Sequence, residues 1–226
     1  MRRVEQIMGM PISIDIPDCD IQVVYDSAFE RLRQIDEKFS TYKPGSEVSR
    51  FAAGEIPESD LSDELKKIII ACRDAESKTE GYFSSWAAGC FDPSGYVKGW
   101  AIAEAGKVIR KAGFKIFCIG AGGDILCASG GDKKWQIGIQ DHKVKTKILD
   151  LLSISNGAVC TSGNYERGAH IINPITKKPA NELLSVTVTG PDIIWADVLA
   201  TACFAMGRQK AESFIKSQPG YKVIVP

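Results

Sequence analysis

The sequence predicts one α+β domain over residues 1–226, with mixed or antiparallel sheets flanked by helices. Three observations predict it. Helical patterns come in clusters and β-like runs gather between residues 115 and 189, which is not a strict βαβ alternation. The 226 residues suffice for one sizeable core and are few for two independent domains. No repeat, linker or low-complexity tract divides the chain.

The elements follow in order. Pro11-Ile12-Ser13-Ile14-Asp15-Ile16 alternates apolar and polar residues and reads as a strand. Ala28, Phe29, Leu32, Ile35 and Phe39 fall at helical spacing. Residues 39–55 read as a polar loop with Gly and Pro. Leu65, Ile68, Ile69, Cys72 and Ala75 mark a second helix, with Ser62 as its N-cap. Residues 81–95 are punctuated by glycines and aromatics and read as irregular. A third helix spans about 96–112, with Gly113 placed to end it. Short strands are expected at 115–119, 124–128, 135–140, 158–162, 170–172 and 185–189. A helix over 192–206 closes at Gly207, a shorter one covers 209–217, and residues 222–225 form a last strand.

Composition narrows the classes. Hydrophobic residues make up 44% and charged residues 25%, the balance of an ordinary soluble protein. Lys+Arg and Asp+Glu both number 28, so no basic excess points to nucleic acid or an anionic membrane. No apolar run is long enough to span a bilayer, and no signal-like apolar run follows Arg2 and Arg3. Cysteines stand at 19, 72, 90, 118, 127, 160 and 203, odd in number and without a CxxC pair. Most have apolar neighbours, as in Ile116-Phe117-Cys118-Ile119, and read as buried free thiols. A reducing, cytoplasmic setting is the expectation.

Five segments could carry chemistry. In the helix Ile193–Phe204, Asp197 and Thr201 lie four apart, hence on one face, among apolar neighbours. A carboxylate there is costly unless paired or bound to a cation, and two oxygens one turn apart suit a hard cation such as Mg²⁺. An exposed Asp beside a Thr that bonds back to its helix is the alternative. Lys98 lies near a helix start, where the dipole disfavours it unless something negative, such as a phosphate, is close; a solvated lysine fits equally. Gly120-Ala121-Gly122-Gly123-Asp124 lies between two strands and reads either as a hairpin turn or as backbone approaching a ligand. It is neither a P-loop nor a Rossmann fingerprint. Thr161 to Pro174 forms a polar hairpin whose return strand holds His170, one of two histidines and the better general-base candidate; His142 reads as a solvated loop residue. Ser40 and Tyr42, with Ser46 to Arg50, offer hydroxyls, an aromatic face and a cation in one loop, suited to a nucleotide or to a plain surface turn.

In order and type, six stretches resemble the FAD:protein FMN transferases, the ApbE-like flavin transferase family. They are Met8-Gly9-Met10-Pro11, Phe39-Ser40-Thr41-Tyr42 with Glu47-Val48-Ser49-Arg50, Asp92 to Trp100, Ala121 to Ile125, Thr161 to Pro174, and Ala196-Asp197 to Ala202. The resemblance implies an ApbE-like fold and Mg²⁺-dependent transfer of FMN from FAD to a threonine hydroxyl of an acceptor flavoprotein carrying a Ser/Gly/Thr motif, with AMP released. It implies Asp197, Thr201 and the Gly95 carbonyl as metal ligands. It implies Ser40, Tyr42, Lys98, Gly122, Gly123, Asp124, Thr161 and Ser162 at the flavin nucleotide, and His170 as the base. Two other readings share these residues: an FAD pyrophosphatase with water as acceptor, and a non-catalytic flavin binder. The pattern departs from the family where Phe91 to Gly99 merges two elements, where Asn173 stands for a common Asp, and where Gly120 stands for a common Asn. The lipobox and signal peptide of secreted members are absent from this sequence, which fits the cytoplasmic expectation.

Overall fold

Alternation places Met10, Ile12 and Ile14 inward and their neighbours outward, and this strand becomes the second of a seven-stranded sheet. The computed structural model describes residues 1–17, 19–131, 133–141, 147–164, 168 and 171–225. Strand β1 (Arg2–Ile7) turns at Met8-Gly9, with φ of 56° and 71°, into β2 (Met10–Asp15). Helix α1 (Gln22–Phe39) buries Tyr25, Phe29, Leu32 and Ile35. The short α2 (Glu47–Ala52) follows, then α3 (Asp63–Lys78) and α4 (Ser94–Lys111).

Strands β3 (Phe117–Ala121) and β4 (Asp124–Ala128) form a hairpin, β5 (Trp135–Gln140) and β6 (Ile148–Ile154) a separate ribbon, and β7 (Gly157–Gly163) returns to the main sheet. Strands β8 (Ile172–Asn173) and β9 (Lys178–Pro179) make a minimal pair. Strand β10 (Ser185–Gly190), helix α5 (Ile193–Met206), helix α6 (Arg208–Phe214) and strand β11 (Lys222–Ile224) complete the order.

The main sheet runs β1-β2-β3-β4-β7-β10-β11, and every pair in it is antiparallel. Helices α1, α4 and α5 pack together, with α5 lying on β7 and β10. Helix α5 is buried on nearly all sides, Val198, Leu199, Cys203 and Phe204 included, so it forms the centre of the core. Each such side chain contributes roughly 1.5–3 kcal/mol relative to exposure. A smaller apolar cluster of Cys127, Ile137 and Val159 joins the β5–β6 ribbon to the sheet.

The α+β expectation holds, and the sheets are antiparallel. Residues 39–55 are not all loop: Ser46 accepts from the Ser49 N–H and starts α2. Strands β1 and β6 had no separate expectation. β1 is a mostly exposed edge rich in charge, and β6 is apolar without alternation and largely exposed, so neither has a period-2 signal. No helix of the described residues is long and apolar enough to cross a membrane.

Candidate active site

Two tight turns meet at one end of the sheet. The β3–β4 turn has Gly122 and Gly123 at φ of 54° and 89°, a two-residue loop that other residues adopt only with strain. A Cβ on Gly122 would lie 2.7 Å from Met10 Sδ, so the Met8–Met10 turn packs against the glycine turn. Register carries Thr161 and Ser162 of β7 to the same end, because Ile125 pairs with Val159. The turn is therefore a hairpin, and it also delivers a carboxylate inward: Asp124, first residue of β4, has a side chain with 0% exposure.

Asp124 Oδ1 accepts the Thr161 N–H at 3.1 Å, and Oδ2 lies 2.8 Å from Lys98 Nζ. The same ammonium lies 3.4 Å from Asp197 Oδ1. Asp197 Oδ2 accepts the Gly99 N–H at 2.9 Å, linking α5 to α4. The Asp197 side chain is 1% exposed and that of Lys98 23%, so only the lysine opens the cluster to solvent. The negative partner that Lys98 needs is thus internal to the protein.

Two carboxylates share one ammonium, so the buried site has one excess negative charge when both acids are ionised. Burial pushes the Asp197 carboxyl up to about 7, with Lys98 opposing and Asp124 adding to the rise. Burial raises Asp124 also, while Lys98 pulls it down. Burial works against the Lys98 charge, but the two aspartates more than offset it and hold that pKa above its ordinary value.

Close packing shapes the rest. A Cβ on Gly99 would sit 2.9 Å from the Ile193 carbonyl and 3.0 Å from Asp197 Cβ, so only glycine lets α4 and α5 approach this far. A Cβ on Gly95 would lie 3.5 Å from Thr201 Oγ1, which places those two predicted residues side by side. Thr201 Oγ1 lies 3.3 Å from Ser162 Oγ, and Thr161 Oγ1 lies 2.9 Å from Thr187 Oγ1.

Of the residues singled out from sequence, Gly95, Lys98, Asp124, Thr161, Ser162, Asp197 and Thr201 come together, with Gly122 and Gly123 at the rim. Ser40 and Tyr42 stand on the loop after α1. The Ser40 carbonyl accepts from Ser46 Oγ and Ser49 Oγ, and Tyr42 is 81% exposed. Phe39 beside them packs edge-on to Trp100 of α4 at 5.1 Å. His170 and His142 lie outside the described residues. Asn173 donates to the Ala205 carbonyl and accepts from the Ile175 and Thr176 N–H groups, and an aspartate could not make the first bond. Gly99 and Thr187 had no assigned role in the sequence reading. A glycine inside a helix, costing about 1 kcal/mol relative to alanine, was the available signal for the first; Thr187 carries none.

Among the described residues no three His, Cys, Asp or Glu side chains group as a metal site. The oxygens that meet here are the Asp197 carboxylate and the Thr201 and Ser162 hydroxyls, with Gly95 of α4 beside Thr201. The excess buried negative charge and all-oxygen donors fit a hard divalent cation.

Fold and cluster together define an α+β protein with a buried acid–lysine–acid group under a rim of hydroxyls and tight turns. The ApbE family model matches residues 8–90 and 87–225, and the chain belongs to that family. The FAD:protein FMN transferase of Treponema pallidum is 37% identical over 119 residues, 48% of this chain and 33% of that protein. Its Vibrio cholerae counterpart is 28% identical over 131 residues, 53% of this chain and 39% of that protein. The aligned stretches thus span between a third and two fifths of these curated relatives. Among solved structures, the ApbE protein of Thermotoga maritima superposes with a TM-score of 0.86 at 21% identity, covering all of this chain and 93% of that one. The flavin transferase ApbE of Vibrio cholerae gives 0.81 at 19%, covering all of this chain and 96% of that one.

Proposed function

We propose that this protein transfers FMN from FAD to a threonine hydroxyl of an acceptor flavoprotein bearing a Ser/Gly/Thr motif, and releases AMP. The observation that carries the reading is the Asp124–Lys98–Asp197 cluster against Thr201 and Ser162, in a chain whose named relatives are FAD:protein FMN transferases. In the reaction the acceptor oxygen bonds to the phosphorus on the FMN side, the pyrophosphate bond breaks, and AMP leaves with the electron pair. The acceptor's proton goes to a base.

Asp197, Thr201 and the Gly95 carbonyl would hold Mg²⁺. When bound, that ion neutralises charge on phosphoryl oxygens. Lys98, the one cluster member open to solvent, supplies positive charge to the pyrophosphate. Asp124 holds Lys98 in place from beneath, and its burial makes it an anchor more than a direct nucleotide contact. Gly122 and Gly123 give backbone close access to the nucleotide, Thr161 and Ser162 offer hydroxyls, and Ser40 with exposed Tyr42 supplies an outer wall. His170 is the proposed base. Residues 1–226 act as one domain in this reading, and the seven free cysteines support a reducing, cytoplasmic setting.

The test is to incubate the pure protein with FAD and Mg²⁺, with and without an acceptor domain, and follow AMP and acceptor mass. An FMN adduct on the acceptor, lost with EDTA and in Asp197→Ala, is expected. AMP without an adduct would replace this reading with an FAD pyrophosphatase. Absence of both would leave a flavin-binding protein.

A further inference from the structure

We propose that Cys118 and Cys127 form a dithiol site that low-molecular-weight disulfides of the glutathione class oxidise to a cross-strand disulfide. The two residues face each other directly in the β3–β4 hairpin. The two-residue turn makes Ala121 and Asp124 the hydrogen-bonded closing pair, so alternation makes Cys118 and Cys127 a non-hydrogen-bonded pair. Side chains stand closest at such pairs, and their Cα separation of about 4.5 Å lies within the disulfide range of about 4.4–6.8 Å. The sulfurs are already 3.9 Å apart. Side-chain rotation alone can close that gap, because both point to the same face of the sheet.

The two thiols differ in a way that orders the chemistry. Cys118 is half-buried, and Cys127 is buried in the small cluster with Ile137 and Val159. The hydrogen-bonding contact with the Cys127 sulfur holds the Cys118 thiol below its ordinary range, against the opposing effect of burial. Cys118 is therefore the attacking sulfur. Its thiolate displaces one glutathione thiolate from glutathione disulfide and forms a mixed disulfide. Cys127 then loses its proton, attacks the Cys118 sulfur and displaces the second glutathione. Two cysteine thiols are oxidised and one glutathione disulfide is reduced to two glutathione thiols. Of the remaining cysteines, Cys19, Cys72, Cys160 and Cys203 are buried and Cys90 is exposed.

The sequence makes the measurement direct. Lys115 and Lys133 bound a tryptic peptide, 116–133, in which Cys118 and Cys127 are the two cysteines. The reduced full-length protein is treated with glutathione disulfide, unfolded in an alkylating agent, and digested without reductant. The expected product is peptide 116–133 without alkyl groups and lighter by two hydrogens. In Cys127→Ser the expected product is glutathione on Cys118, with folding checked by circular dichroism. The proposal is overturned if both wild-type cysteines are alkylated while Cys90 carries glutathione. It is also overturned if wild-type Cys118 keeps glutathione while Cys127 is alkylated, because the ring then does not close.

Discussion

Lys98 occupies a helical position that the dipole disfavours, and the reason is a charge imbalance: two buried carboxylates hold one ammonium. Asp124→Ala leaves Lys98 matched by Asp197 alone but strips the Thr161 N–H of its acceptor, so it is expected to destabilise the protein by about 1–3 kcal/mol in urea titrations. Asp124→Asn keeps an acceptor for the Thr161 N–H and costs less, and under the proposed function it is expected to loosen Lys98 and raise KM for FAD. The raised carboxyl of Asp197 sets a pH dependence with a definite sign. An acid whose folded pKa lies above its unfolded value binds its proton more readily when folded. The stability it contributes is present at low pH and is lost as pH rises from the usual carboxylate range toward about 7. The stability difference between wild type and Asp197→Asn should therefore shift against wild type as pH rises across that window in the absence of divalent ions. Urea titrations at several pH values check this, and a flat difference would mean that Asp197 is ionised throughout. Asp197 and Lys98 stand out in the sequence because each breaks a local rule, a charge on an apolar face or a cation near a helix start, and Thr201 stands out because it lies one helical turn from Asp197 on the same face.

At the scale of elements, the α4–α5 contact positions the cluster. A Cβ on Gly99 meets the Ile193 backbone, which cannot rotate away. Gly99→Ala is expected to cost about 1–3 kcal/mol by overpacking, despite the higher helix propensity of alanine, and to weaken metal-dependent turnover through Asp197. A melting temperature equal to or above that of wild type would show that the helices can part. Ser62 caps α3 by accepting the Leu65 N–H at 3.3 Å, and its hydroxyl donates to Glu47 at 2.7 Å. Ser62→Ala should cost about 1 kcal/mol in thermal melts. That cap was readable from sequence, as was Gly113 after α4. Helix α2 was not, because its six residues bury only Val48 and give no amphipathic period.

For the whole molecule the formal net charge is zero, while the site sets two carboxylates around one ammonium. Mg²⁺ at a hundred times its dissociation constant should stabilise the folded state by about 2.7 kcal/mol. A rise in melting temperature that saturates with Mg²⁺ and vanishes in Asp197→Ala is the expected result. An equal rise in the variant would place the ion elsewhere. The antiparallel order β1-β2-β3-β4-β7-β10-β11 brings turns more than 110 residues apart to one end of the sheet, with Met10 against Gly122. No local pattern encodes that meeting.

The sequence by itself determined the α+β class, the main helices, most strands and the family, because periodicity, caps and motif order are local properties of the chain. It also singled out Asp197, Thr201 and Lys98. Only the tertiary structure decided their partners. Lys98 is matched by protein carboxylates, Asp124 is an anchor with no exposed surface, Gly99 ties α4 to α5, and Cys118 faces Cys127. Each of these depends on strand register or helix approach, and those are fixed by packing between residues distant in sequence.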